Sequence, residues 1–222
     1  MACGLLSSKE GCTMIEIPKQ FFIAGTDTEI GKTLVSSMMM CNLDATYWKP
    51  IQSGIEEETD SQFVQRISEV DDSRIIPERW VLNTPMSPHA SADIDGVSIK
   101  LDDFEIPEYS TRHLIIEGAG GLMVPINWEQ TMLDVIEKLN IPVLLVAKSG
   151  LGTINHTLLS VKALQNRNIK VFAVILSGLY HHSNRETLRH FGNLPIYEIG
   201  ILPKIDKSSL KTAFSQLVSL ES

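Results

Sequence analysis

The sequence predicts an α/β fold: a single doubly wound, mostly parallel sheet with helices on both faces, of the P-loop NTPase type. Three observations carry this. Short apolar runs alternate with segments whose apolar residues recur at helical spacing, the pattern of βα units. The runs themselves show no polar alternation, so helices are expected to cover both faces of each strand. The first run leads into a glycine-bearing loop, Gly25–Thr33, that opens a helix.

Taken in order, Gln20–Ala24 reads as the first buried strand, ending in the glycine-bearing turn. Lys32–Asn42 reads as the helix after it, and Met38–Met40 within it are expected to face the core. Thr46–Pro50 is a second short strand. Asp60–Val70 spaces Phe63, Val64 and Ile67 as one helical face. A proline-rich connection follows, around Pro77–Pro88. The strand pattern returns at His113–Glu117, Ile141–Ala147 and Val171–Leu176, with helices expected at Met132–Leu139 and Asn155–Gln165. A last helix is expected from about Ser208 to Leu220. Residues 1–13 read as a disordered leader, because Met14 stands just ahead of the first strand-like segment, and 14–222 as the domain.

Composition narrows the function. The chain has 222 residues, 43% of them hydrophobic and 21% charged, and a net charge of −8. No basic stripe offsets that charge, which argues against nucleic acid as a partner. No apolar run approaches the roughly 20 residues of a membrane span. The cysteines Cys3, Cys12 and Cys41 are odd in number and lack metal-ligand spacing, which points to a reduced, cytoplasmic protein. His181-His182 has no third ligand at metal spacing.

The segment Gly25-Thr-Asp-Thr-Glu-Ile-Gly-Lys-Thr33 has the strand–loop–helix context of a phosphate-binding loop. Its glycines allow successive backbone N–H groups to point at phosphate oxygens, and the helix start adds unpaired N–H groups and a positive dipole end. Lys32 is then placed to neutralise the β- and γ-phosphates, and the Thr33 hydroxyl to ligate Mg²⁺. The spacing departs from G-x₄-G-K-[ST]: threonine stands at 26 and the glycine lies one residue earlier. Partitioning-type ATPases usually carry a second lysine near the start of such a loop, and Thr26-Asp27-Thr28 lacks it.

Two carboxylates read as metal ligands. Glu117 closes a very apolar run and precedes four small residues, where an ionised carboxylate needs a partner. Mg²⁺ suits that place, because ligands gather at the carboxyl ends of such strands. The competing reading is a carboxylate that caps the next turn. Asp60 starts a helix, and its competing reading is an N-cap. Lys49, fixed by Pro50 at a strand end, is either a surface charge or a second cation for a phosphoryl group.

The loop G-T-D-T-E-I-G-K-T, together with five further blocks in order, resembles the dethiobiotin synthetase family. The blocks are Trp48-Lys-Pro-Ile-Gln-Ser-Gly54, Asp60 with Gln65-Arg66, Ser87-Pro-His89, Glu117-Gly-Ala-Gly-Gly121 and Leu151-Gly-Thr-Ile-Asn-His156. The resemblance runs from about Phe21 to Pro203. It implies a ligase that uses ATP and Mg²⁺ to close a cyclic urea on 7,8-diaminononanoate with CO₂, by way of a carbamate and its mixed anhydride with phosphate. It implies that Thr28, Glu29, Ile30, Gly31, Lys32 and Thr33 hold the phosphates, with Ser177, Gly200, Leu202 and Pro203 around the base. Thr33, Asp60 and Glu117 would hold Mg²⁺, and Lys32 and Lys49 would act on the transferred group. Substrate would meet Thr26, Lys49, Ser53 and Gly118, with Gly152, Thr153 and Asn155 receiving its carboxylate across a homodimer interface. Thr153 is expected to N-cap its helix. At one place the chain departs from the family: Ser177 replaces an asparagine that reads the adenine edge, so weak selectivity for ATP is expected. The alternatives are a cobyrinate-type amide synthetase, whose glutaminase cysteine has no counterpart after Cys41, and a partitioning or regulatory ATPase.

Overall fold

The computed structural model describes residues 16–55 and 58–219. The leader expected at 1–13, and Leu220 at the end of the last expected helix, lie outside the described residues.

The chain opens with β1 (Gln20–Gly25), α1 (Lys32–Asn42), β2 (Ala45–Trp48) and β3 (Ile51–Ser53). Next come α2 (Asp60–Ser68), β4 (Ile75–Ile76), β5 (Trp80–Leu82), α3 (Pro88–Asp95) and β6 (His113–Gly121). The remainder is α4 (Met132–Leu139), β7 (Val143–Lys148), α5 (Thr153–Asn166), β8 (Val171–Ser177), α6 (His182–Gly192), β9 (Ile196–Ile199) and α7 (Lys207–Ser219). Seven strands form one sheet in the order β4-β2-β6-β1-β7-β8-β9, and β3 and β5 form a separate pair. All these strand pairings are parallel.

The absence of polar alternation has the cause expected for it. Along β1, Phe21 and Ile23 enter one core, while Phe22 and Ala24 enter the other. Along β7, Leu144 and Val146 join the first, and Val143, Leu145 and Ala147 the second. The first core is completed by α1, α2 and α7, through residues such as Met39, Val64 and Leu210. The second is completed by α3 to α6, through residues such as Ala92, Val135, Val161 and Leu188. A strand covered on both sides has no solvent face on which to place polar side chains.

β1 lies between β6 and β7, and the chain turns outward in opposite directions from it, so the switch point of the sheet falls at the end of β1. The loop after β1, the residue after β2 and the middle of β6 therefore converge at one carboxyl edge. Met38, Met39 and Met40 are buried, as their spacing predicts. The proline-rich connection is more ordered than the sequence suggests, since it contains β5 and leads to Pro88 as the first residue of α3. Pro fits there because a first-turn N–H has no intrahelical partner to lose. Among the described residues, no helix is long and apolar enough to cross a membrane.

Because α1 carries the loop's helix start and packs through its methionines, its anchoring is testable. Met39, wholly buried, is expected to cost about 2–5 kcal/mol on replacement by alanine. Urea unfolding followed by circular dichroism reads this as a lower midpoint with the slope unchanged.

Candidate active site

The loop after β1 is shaped by two close approaches. Lys32 Nζ donates to the carbonyl of Asp27 at 2.8 Å, which folds the side chain back over the loop. A Cβ on Gly25 would lie 2.9 Å from that Nζ and 2.8 Å from Asp27 O, so only glycine leaves the lysine its place. Gly31, at φ 98°, turns the chain into α1 as its N-cap. Glu29 is also left-handed, at φ 53°, and is one of the few non-glycine residues in that region. Burial, then the nearby Lys49 ammonium, lower the Lys32 pKa from 10.5 to about 8.

Glu117 is fully buried, at 0% exposure, in the middle of β6. Four side chains, from α1, β2 and the residue after β2, surround its carboxylate. Ser36 of α1 and Tyr47 of β2 both donate to Oε2, Tyr47 at 3.0 Å. Lys49 Nζ donates to Oε1 at 3.2 Å, and the Thr33 hydroxyl lies 3.1 Å from the same oxygen. Lys49 also pairs with Asp60 Oδ2 at 2.6 Å, while Thr33 Oγ1 lies 2.6 Å from Asp60 Oδ1. Burial alone would lower the Lys49 pKa, but the charges of Glu117 and Asp60 outweigh it and hold the ammonium above its ordinary 10.5. Burial alone would raise Asp60, and the Lys49 charge outweighs that and holds it below 3.8. Burial, then the Glu117 charge, push the Tyr47 hydroxyl well above its ordinary value, so it remains a donor.

Above this cluster opens a cavity of about 710 Å³, lined among others by Thr28, Gly31, Lys32, Ser53, Ser87 and Gly120. Ser53 Oγ is buried and has no hydrogen-bond partner among the described residues. The oxygen donors beside this cavity suit Mg²⁺. Thr33 Oγ1, Asp60 Oδ1 and Glu117 Oε1 are hard oxygens, with the hydroxyl within 3.1 Å of both carboxylates. Two carboxylates and a hydroxyl fit an ion that keeps several waters and takes its remaining ligands from phosphate. Among the described residues no group of three or more His, Cys, Asp or Glu could hold a metal by itself, so phosphate oxygens would have to complete the shell.

A family described as an AAA domain matches residues 19–212. The chain is 46% identical over 190 residues to the ATP-dependent dethiobiotin synthetase BioD of Brucella ovis, covering 86% of this chain and 88% of that one. It is 45% identical over 196 residues to the protein of the same name from Rhodopseudomonas palustris strain TIE-1, covering 87% and 91%. The chain belongs to the ATP-dependent dethiobiotin synthetase family. Among solved structures, a candidate plasmid partition protein from Borrelia burgdorferi B31 bound to AMPPNP superposes with a TM-score of 0.51 at 12% identity, covering 92% of this chain and 99% of that one. That likeness speaks to the fold alone.

Of the residues singled out in this family member by sequence, Thr28, Glu29, Gly31, Lys32, Thr33, Lys49, Ser53, Asp60 and Glu117 line one cavity. Ile30 turns its side chain into the core, leaving only its backbone to the loop. Thr26 borders a separate cavity with Asp27, Gly121, Met123 and Leu159. Gly118 is packed under Phe22, whose ring would lie 2.7 Å from a Cβ there. Gly152, Thr153 and Asn155 stand at the start of α5 and are not among the residues lining the cavity over Glu117. Gly200, Leu202 and Pro203 line a further cavity of about 520 Å³, whereas Ser177 does not.

Three local readings are corrected. Gly152, at φ 89°, is the N-cap of α5; Thr153 is its first residue, with Oγ1 buried 3.3 Å from Thr157 Oγ1. Asp60 caps nothing, because Thr59 and Gln62 form the capping box of α2 and free the carboxylate for Lys49. Glu117 does not end its strand, since β6 continues through Gly121 beside β1. The sequence reading missed Ser36 and Tyr47. Ser36 stands three residues beyond Thr33 on the same face of α1, a spacing that was available as a signal. Nothing local to Tyr47 announces its partner.

The buried network yields a stability prediction. Lys49→Met is expected to destabilise the free protein by about 3–5 kcal/mol, because it strands Glu117 without its cation. Lys49→Met/Glu117→Gln is expected to recover part of that loss in a denaturant double-mutant cycle. The Lys49 contribution is complete below pH 10.5 and is lost as pH rises through its raised value. That of Asp60 is complete above pH 3.8 and is lost as pH falls through its lowered value.

Proposed function

We propose that the chain is an ATP-dependent dethiobiotin synthetase acting on 7,8-diaminononanoate and CO₂ in biotin biosynthesis. The observation that carries this is the convergence of Lys32, Lys49, Thr33, Asp60 and Glu117 on one cavity in a member of that family.

The reaction asks for positioning and charge stabilisation, with no covalent nucleophile. One amine takes up CO₂ as a carbamate and loses a proton. A carbamate oxygen attacks the γ-phosphorus, and ADP leaves. The second amine then attacks the carbamoyl carbon, closing the cyclic urea and expelling phosphate, and loses its proton. Solvent or the substrate itself takes up both protons, and no side chain is assigned as base.

The backbone of Thr28 to Lys32 binds the phosphate chain, and Thr33 follows at the helix start. Lys32 and Lys49 face the transferred group from opposite sides, where charge spreads over its oxygens. Lys32, with its pKa lowered to about 8, is still mostly protonated at neutral pH. Mg²⁺ bound by Thr33, Asp60 and Glu117 together with the phosphates would neutralise charge there. Ser53, whose hydroxyl lacks a partner among the described residues, is free to donate to substrate or phosphate. Gly200, Leu202 and Pro203 border the base. Thr26 and Gly118 lie on the substrate side.

Gly152, Thr153 and Asn155 act across a homodimer interface, with the backbone at the start of α5 receiving a carboxylate. The fully exposed Leu151 beside them, with Met123 and Leu159 also exposed, supplies apolar surface for that interface. The reading carries with it a reduced, cytoplasmic setting and no nucleic-acid partner.

Phosphate release from MgATP tests the assignment. It is expected to require both the diamine and bicarbonate and to yield a cyclic urea by mass spectrometry. Release indifferent to the diamine would return the regulatory ATPase and amide synthetase readings. Lys49→Ala is expected to lower kcat by about 10²–10³, the loss typical of one donor aimed at transition-state charge. Leu151→Asp is expected to convert a dimer to a monomer in analytical ultracentrifugation and to abolish turnover; a wild-type monomer with full activity would sink the interface.

A further inference from the structure

The cavity of about 520 Å³ lies between the segment after β8, the segment after β9 and α7, and is lined among others by Leu179, Tyr180, Gly200, Leu202, Pro203 and Ala213. Its size is that of a small-molecule site. Ser177, just ahead of this wall in the chain, approaches the phosphate loop without lining the cavity. Ser177 ends β8 with its hydroxyl turned to Gly31, where a Cβ would meet Ser177 Oγ at 2.8 Å. Three residues further along the chain, Tyr180 stands at the cavity wall.

The segment carrying Tyr180 is held from both sides. Gly178 N–H donates to Ile199 O at 2.9 Å, Ser149 Oγ donates to Leu179 O at 2.5 Å, and His181 N–H donates to Glu198 Oε1 at 3.0 Å. On this anchored segment the Tyr180 ring leans on the backbone of Gly200. A Cβ at 200 would lie 2.7 Å from Cε2 and 2.9 Å from Oη, so the glycine is what seats the ring there. Tyr180 is nevertheless 60% exposed, an aromatic residue at the wall of a cavity. The side chain at 177 is spent on Gly31 and carries no amide with which to read a base edge.

We propose that Tyr180, seated on Gly200 at the wall of this cavity, is the residue that binds the nucleobase by ring contact rather than by edge reading. The proposal rests on the ATP reading above and adds the element that decides base selectivity. Every base has a π-face, so an aromatic contact binds all of them with little discrimination.

The test is binding of ATP, GTP, CTP and inorganic tripolyphosphate, by calorimetry, to the wild type and to Tyr180→Ala, Tyr180→Phe and Gly200→Ala. The wild type is expected to bind the three nucleotides with similar affinities. Tyr180→Ala is expected to weaken all three about tenfold, within the range for loss of a base–aromatic contact, and to leave tripolyphosphate unchanged. Tyr180→Phe is expected to bind as the wild type does, and Gly200→Ala to weaken nucleotides but not tripolyphosphate. Nucleotide binding that is unchanged or tighter in Tyr180→Ala overturns the proposal, as does weakening confined to ATP. Equal weakening of tripolyphosphate overturns it too, since the variant would then have disturbed the loop. A wild type that does not bind tripolyphosphate, with Lys32→Ala no different, would instead count against the phosphate-loop reading and overturn both.

Discussion

A carboxylate with no access to water sits at the centre of this molecule, and much of the site follows from what it takes to keep it there. Glu117 lies on a strand with neighbours on both sides and helices over both faces. An isolated charge at such a place is prohibitive. It persists because Ser36, Tyr47, Thr33 and Lys49 all bring polar hydrogens to it, from a helix, a strand and a strand end that the sheet order makes neighbours. Two of these donors hold Oε2 and the other two groups meet at Oε1, so the carboxylate has a fixed side and a working side. Asp60 joins the working side through Lys49 and Thr33.

The same arrangement explains why the cations belong to the fold as much as to the chemistry. Lys49 is 5% exposed, and the charges of Glu117 and Asp60 outweigh the burial that would lower its pKa. Lys32 is also buried, but its pKa is lowered, since burial and the like charge of Lys49 outweigh the carboxylates. The two lysines therefore differ in electrostatic situation. One is clamped by opposite charge, and the other donates to a backbone carbonyl, Asp27 O, at 2.8 Å. α1 links these roles, because its first five residues carry Lys32, Thr33 and Ser36 while its methionines lock it to the sheet.

Legibility in the sequence followed the range of the interaction. The strands read at 20–24, 113–117, 141–147 and 171–176 were legible because burial on both faces makes them nearly uniformly apolar, a local signal. The helix at Lys32–Asn42 agreed at both ends. What was not readable was short or partnered at a distance. β3, β4 and β5 have two or three residues each and exist as strands only because a partner lies alongside. β9 and α6 are short or amphipathic segments near the sheet's far edge, with no apolar run long enough to stand out. The end of β6 was missed because Gly118–Gly121 have no strand propensity of their own and are held by pairing with β1. Tyr180 was passed over because its contact, Gly200, is twenty residues away in the chain.

The sequence by itself determined the phosphate loop, the apolar strands that build the sheet, and the identity of the charged groups, since each depends on residue type and near-neighbour spacing. Only the tertiary structure decided which oxygens those charges share. It was also the structure that showed Thr59 rather than Asp60 capping α2, Gly152 rather than Thr153 capping α5, and Ser177 turned away from the cavity beside it. The reason is geometric. Spacing along a chain fixes which residues lie on one face, whereas the partner of a buried charge is set by which strands the sheet order brings side by side.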